Sequence, residues 1–246
     1  MIERPEPDEV IEYGQVTLRR CREDDVDAVF LAVIESLDHL RPWMPWAANY
    51  TRQTAAGYLA RSVRDWADGN EYNYAILTDG VLAGSCSLMA RIGPGGLEIG
   101  YWVHRACTRR GLATAASAAL VEQAFRLPGV DRVEIIHDEL NVASGRVPRK
   151  LGFTEVGRQP LSEPTPGGNG VGVVWRLTRL QSGSVGRHGI RAGGSDRPGD
   201  DGAGSRPGPG QPGGRRRAGR GRAGRGQCQP RVAADRGRAQ RAGAAG

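Results

Sequence analysis

From Tyr72 to Met89 the chain reads YNYAILTDGVLAGSCSLM, with apolar and polar residues alternating on both sides of Asp79-Gly80. That pair supplies the positive φ angles of a tight two-residue turn, so the stretch predicts an antiparallel hairpin. A second turn at Gly93-Pro94-Gly95-Gly96 leads to a further strand, LEIGYWV. The run HRACTRRGLATAASAAL follows and predicts a helix to about Arg126, so the meander becomes a β-α unit.

DRVEIIHDELNVASGRVPRKLGF repeats that unit. It gives a strand from Arg132 to His137, then a shorter helix starting near Asn141 and leaving at Leu151-Gly152-Phe153, where Gly152 suits a left-handed C-terminal residue. A terminal hairpin, Thr154 to Arg158 and Val171 to Arg179, is joined by the loop QPLSEPTPGGNG. Toward the N-terminus, a strand from Val16 to Arg19 precedes a helix that Asp24 or Asp25 can cap, with Val26, Phe30, Val33 and Ile34 on one face. Pro42 and Pro45 then break regularity, and Trp43 and Trp46 beside them more often plug the end of a core than touch a ligand. A second helix is expected from about Thr54 to Asp68. The order β-α-α-β-β-β-α-β-α-β-β is that of an α+β layer structure with one mixed sheet.

Charge divides the chain unevenly. Residues 182–246 hold 14 Arg against 4 Asp and 19 of the 37 glycines, with hardly any Leu, Ile or Phe, which leaves residues 1–181 slightly acidic at −3. Such a tail buries too little apolar surface to offset the entropy of ordering, and it reads as disordered. It has no aromatic residues to stack bases, so a nucleic-acid partner is not expected, and its composition matches read-through of a GC-rich frame. The domain reading is therefore an N-terminal extension over 1–14, a folded domain over 15–181, and the tail. Cys21, Cys86, Cys107 and Cys228 show no paired short spacing, which suggests neither a disulfide framework nor a zinc site and fits a reduced, cytoplasmic compartment. The acidic, proline-containing start and the lack of a long apolar run argue for a soluble protein with no membrane partner.

The chemistry centres on Arg109-Arg110-Gly111-Leu112-Ala113-Thr114. A helix opens with free backbone N–H groups and partial positive charge, and it can hold a pyrophosphate if the backbone comes close. Gly111 permits that approach, Ala113 keeps the first turn thin, Thr114 offers a hydroxyl, and the two arginines add charge at the rim. On these residues alone, an ordinary amphipathic helix with exposed arginines is equally open.

Together with LEIGYWV, LRPWMPWA and NVASGRVPRKLGF, this stretch resembles the GCN5-related N-acetyltransferase (GNAT) family, and within it the Rim-type enzymes that modify the N-terminal amine of ribosomal proteins. The resemblance covers about residues 15 to 179. It implies a mostly antiparallel sheet with a splayed central strand pair and flanking helices, acetyl-CoA as cosubstrate with no metal, and an amine acceptor, either a protein N-terminus or a small polyamine or antibiotic. A homodimer is among the assemblies it implies. The turn would cradle the pyrophosphate, while the backbone of Tyr101, Trp102 and Val103 would run along the pantetheine arm. One position departs from the family pattern: Thr108 stands where Gln or Arg is usual, three residues before the first glycine, and this implies weaker cofactor affinity at most.

Acyl transfer to an amine needs a base for the ammonium and an acid for the departing thiolate. The resemblance implies Glu98 as base, against the alternative of a solvent-facing strand carboxylate. For the acid, the position of the family's usual tyrosine is Pro148, so no tyrosine acts there. Ser144 resembles the Rim-type serine beside the cofactor sulfur. Asn141 serves as helix N-cap and keeps an amide hydrogen for a pantetheine oxygen. Pro148 cannot donate to the carbonyl of Ser144, so it either leaves that acceptor free or kinks the helix. His104 and His137 read as satisfied structural histidines. A non-catalytic acyl-CoA sensor remains the competing class.

Overall fold

The computed structural model describes residues 6–181, so the glycine- and arginine-rich tail lies outside the described residues. Eight strands build one sheet: β1 (Val10–Tyr13), β2 (Val16–Arg20), β3 (Glu71–Thr78), β4 (Val81–Met89), β5 (Gly96–Val103), β6 (Arg132–Asp138), β7 (Thr154–Pro160) and β8 (Val171–Thr178). Their order across the sheet is β1-β2-β3-β4-β5-β6-β8-β7. Every neighbouring pair is antiparallel except β5 and β6.

The hairpin signal at Asp79-Gly80 is real: φ is 52° and 74° at the two residues. β1 is a difference from the sequence reading, which leaves its residues in an extension. It pairs with β2 across a turn in which Gly14 takes φ 58°. Only Ile11 of its four residues is buried, so too little of its pattern marks it as a strand.

Five helices flank the sheet: α1 (Val26–Glu35), the short α2 (Leu37–Leu40), α3 (Arg52–Asp68), α4 (Leu112–Arg126) and α5 (Val142–Lys150). α3 begins at Arg52 rather than Thr54 because Thr51 caps it, its hydroxyl accepting from the Thr54 N–H at 3.1 Å. The left-handed Gly69 ends it. Asp25 stands at the N-cap of α1, but its carboxylate does not cap that helix. It accepts from the Arg22 N–H at 2.8 Å and pairs with the Arg19 guanidinium at 2.7 Å.

Strand alternation sorts side chains to the two faces. Tyr74 and Ile76 of β3, Ala83 of β4, and Leu97 and Ile99 of β5 join the core beneath α4, with Leu112, Ala116 and Leu120. Ala75 and Leu77 of β3, Leu82 of β4 and Trp102 of β5 face the other way, where Val29 and Val33 of α1 and Leu59 of α3 cover them.

Leu120 is completely buried in the α4 core. Leu120→Ala is expected to lower unfolding stability by about 2–5 kcal/mol in chemical denaturation, with the affinity for CoA unchanged.

Candidate active site

Ahead of α4 the backbone takes left-handed φ twice, 61° at Arg109 and 82° at Gly111, so the chain turns sharply into the helix. No side chain caps α4. Its first turn therefore presents backbone N–H groups outward, the arrangement that binds anions. The Gln15 side-chain amide, from the β1–β2 turn, donates to the carbonyl of Arg110 at 2.7 Å and holds the turn in place. Arg110 Nη1 is buried and has no hydrogen-bond partner. Thr108 turns its hydroxyl to the Arg105 carbonyl at 3.0 Å, so it adds nothing to the anion site.

β5 and β6 are in register only at Gly96–Arg132, Leu97–Val133 and Glu98–Glu134. Beyond that they part. β4 pairs with β5 out to Val103, and β8 pairs with β6 out to Asp138, so each strand follows its outer neighbour. The His104 N–H donates to Ala83 O at 2.8 Å, and Trp102 O also points at β4, where a Cβ on Gly84 would run into it. Backbone groups alternate along a strand, so Tyr101 and Val103 turn theirs into the gap. Trp102 sends its backbone to β4 and its side chain to the α1 and α3 face.

A cleft of about 560 Å³ passes through this gap. On one face of β5 lie Glu98 and Trp102, with Glu71 from β3 in the same row, since Glu71 pairs with Met89 and Met89 with Glu98. Glu98 is only 6% exposed, which removes the reading of a solvent-facing carboxylate. Both its oxygens accept from Arg91, Oε2 at 2.9 Å and Oε1 at 2.5 Å. Burial pushes the Glu71 carboxyl above its ordinary pKa, partly opposed by Asn73 hydrogen bonding and the nearby Arg91. Trp46, 41% exposed, stands against Tyr50 and Trp102 with ring centroids 5.6 and 6.3 Å away. It lines the cleft rather than plugging the core, in keeping with a loop that frames the pocket.

On the opposite face of β5, Tyr101 reaches α5. Its hydroxyl lies 2.9 Å from Ser144 Oγ and 3.1 Å from Ser144 O. Burial holds the phenol up at a pKa of about 12. α5 continues through Pro148, and the carbonyl of Ser144 that the proline cannot serve has Tyr101 as its partner. Asn141 caps α5 by accepting from the Ser144 N–H at 3.1 Å, with its amide hydrogens uncommitted.

Both histidines are saturated. His137 has Nδ1 2.7 Å from Asp138 O, while Nε2 accepts from the Trp175 indole at 3.0 Å. His104 Nδ1 accepts from the Ala106 N–H, and Nε2 meets Glu35 at 3.1 Å. Asp138 fastens the 161–170 loop, accepting from the Gly170 N–H at 3.0 Å and the Leu140 N–H at 3.0 Å. The Gly167 N–H reaches Pro42 O at 2.8 Å, so the two loops flanking the cleft are tied together. Sequence reasoning missed Arg91, Glu71, Asp138 and the side chain of Tyr101. Only alternation along β5, with Tyr101 opposite in phase to Glu98 and Trp102, carried a hint of the last.

Among the described residues, no helix is long and apolar enough to cross a membrane, and no group of three or more His, Cys, Asp or Glu could hold a metal ion. An uncapped helix behind a left-handed glycine thus stands at the end of a strand that has parted from its neighbour. The family model described as Acetyltransferase (GNAT) domain matches residues 15–154. The chain belongs to this family and is an acetyl-CoA-dependent acetyltransferase. It is similar to the protein named "Putative ribosomal N-acetyltransferase YdaF" of Bacillus subtilis (strain 168), 30% identical over 149 residues, covering 58% of this chain and 80% of that one. Among solved structures, RimJ of Mycobacterium smegmatis in complex with CoA-disulfide superposes with a TM-score of 0.64 at 24% identity, over 71% of this chain and 89% of that one. A RimL structure, a ribosomal L7/L12 alpha-N-protein acetyltransferase in complex with coenzyme A, gives 0.65 at 22% identity, over 71% and 99%.

Two outcomes follow from the site. Gly111→Val places a branched side chain at φ 82°. A strain of about 1–2 kcal/mol, relieved by moving the turn, is expected to weaken CoA binding roughly 5–30-fold in titration calorimetry. The raised pKa of Glu71 means that the folded state binds its proton more tightly than the unfolded chain does. Its contribution therefore favours folding below the ordinary value near 4.5 and is lost as pH rises through the folded value. Glu71→Gln is expected to raise the melting temperature at pH 7 to 8, and the gain should vanish below about pH 4.

Proposed function

We propose that this acetyltransferase passes the acetyl group directly from acetyl-CoA to the α-amine of a protein N-terminus within a ternary complex. The observation that carries the reading is the division of labour across β5: a buried carboxylate faces one side of the gap and a serine-tyrosine pair faces the other. An acceptor amine entering from the α1 and α3 face meets Glu98, and a thioester held along the gap ends near Ser144. The names of the similar proteins, which speak of ribosomal N-acetyltransferases, support the choice of acceptor.

In this reading Arg109, Arg110, Gly111, Leu112, Ala113 and Thr114 hold the pyrophosphate, chiefly through backbone N–H groups and the free Arg110 donor. Tyr101 and Val103 offer backbone partners to the pantetheine arm, Trp102 backs the strand between them, and Asn141 adds its amide hydrogen. Acetyl-CoA supplies the activated thioester. Each Glu98 oxygen already accepts once from Arg91 but keeps a second lone pair, through which Glu98 takes the ammonium proton directly or by way of a water. The Ser144 hydroxyl protonates the departing thiolate. The reading places the enzyme in the cytoplasm, and light scattering reads the homodimer that the family resemblance implies.

The test is mass spectrometry of products from acetyl-CoA with a panel of N-terminal peptides, polyamines and aminoglycosides. Acetylation at the peptide α-amine is expected, with Glu98→Gln lowering kcat by about 100-fold. Product on polyamines or aminoglycosides alone would overturn the acceptor class, and wild-type rates in Glu98→Gln would remove the base. CoA binding without turnover on any acceptor would make the protein a sensor.

A further inference from the structure

Pro148 sets an accounting problem that Tyr101 solves in one of its two arrangements. In a regular helix the N–H four residues on would serve the carbonyl of Ser144, and a buried carbonyl without a partner is costly. Tyr101 stands within reach of both Ser144 oxygens, 3.1 Å from the carbonyl and 2.9 Å from Oγ. A phenol has one hydrogen, so the pair has two arrangements. In one, Tyr101 donates to the carbonyl and Ser144 donates back to the phenol. In the other, Tyr101 donates to Oγ and the serine hydrogen is free to point into the cleft. Rotation of two hydroxyls interconverts them, with no movement of heavy atoms.

We infer that Tyr101 is a positioning residue for Ser144, donating to Oγ so that the serine hydrogen is aimed into the cleft and following it with its own hydrogen when the serine gives that one up. The inference rests on the proposed placement of Ser144 at the thioester sulfur. As the acetyl carbon bonds to nitrogen, the carbon-sulfur electron pair leaves with sulfur. Sulfur takes the hydrogen of Ser144, Ser144 takes that of Tyr101, and Tyr101 recovers one from water. The ammonium loses one proton toward Glu98 before attack and a second to water after it, so one proton is released in all. The side chain of β5 thus supplies a phenol to a helix whose own sequence, with proline at position 148, cannot. Burial keeps that phenol protonated throughout the neutral range, so the pair is loaded in the resting enzyme.

The experiment is a double-mutant cycle in the full chain with any acceptor that supports CoA release, comparing wild type, Tyr101→Phe, Ser144→Ala and the double variant. Each single change is expected to lower kcat by about 30- to 100-fold, with the KM for acetyl-CoA and the calorimetric CoA affinity within about 3-fold of wild type. The double variant should be no slower than the worse single by more than about 3-fold, because the two hydroxyls act as one unit. Tyr101→Phe also removes the side-chain donor that lies within reach of the Ser144 carbonyl, and adding Pro148→Ala gives that carbonyl an N–H. Stability should return while kcat stays low, and the D2O proton inventory should be bowed in wild type but linear in that double variant. Recovery of kcat with Pro148→Ala would show a purely structural role and overturn the inference. So would multiplicative losses, or Tyr101→Phe within about 3-fold of wild type. Wild-type turnover by Ser144→Ala would overturn it together with the placement of Ser144, while a slow Ser144→Ala beside a fast Tyr101→Phe would overturn the inference alone.

Discussion

Everything functional in this fold depends on the parting of β5 from β6 after Glu98 and Glu134. A parallel pair that stayed in register would fill its own edge hydrogen bonds and close the sheet. Here the outer neighbours, β4 and β8, hold the two strands along divergent paths, and the freed edge of Tyr101 and Val103 becomes available to a ligand. The same parting opens a passage between the two faces of the sheet. Groups of opposite chemical duty can then approach one reacting centre without touching each other.

The polar groups around that passage are held in a particular state by their partners. The Glu98 carboxylate is tied to a guanidinium, and the ring nitrogens of His137 are taken by a backbone carbonyl and an indole. Those contacts occupy both ring nitrogens of the histidine and leave each carboxylate oxygen one further lone pair. By contrast, Arg110 Nη1 is buried without a partner, and the two hydroxyls of Tyr101 and Ser144 have only each other and one carbonyl.

Much of this was legible in the sequence because it rests on local rules. Asp79-Gly80 made the hairpin, Gly111 made the tight entry to α4, and Asn141 made the cap of α5. Pro148 announced an orphan carbonyl. Its partner was not legible, because the Tyr101 contact joins residues 43 positions apart. Nor was Arg91, whose pairing with Glu98 requires the β4–β5 turn to fold back over the strand. β1 escaped notice because a four-residue edge strand with one buried side chain carries almost no pattern. Periodicity reports which face a residue is on, and long-range polar pairing reports what that face does.

The proposed site for CoA, the edge of β5 together with the first turn of α4, can be tested without an acceptor. Residue-resolved amide hydrogen exchange, with and without CoA, addresses it most directly. Slowed exchange at the amides of Tyr101, Val103, Leu112, Ala113 and Thr114, with β1 and β2 unchanged, is the predicted result. Protection confined to other elements, or absent from the gap while CoA is bound, would contradict it.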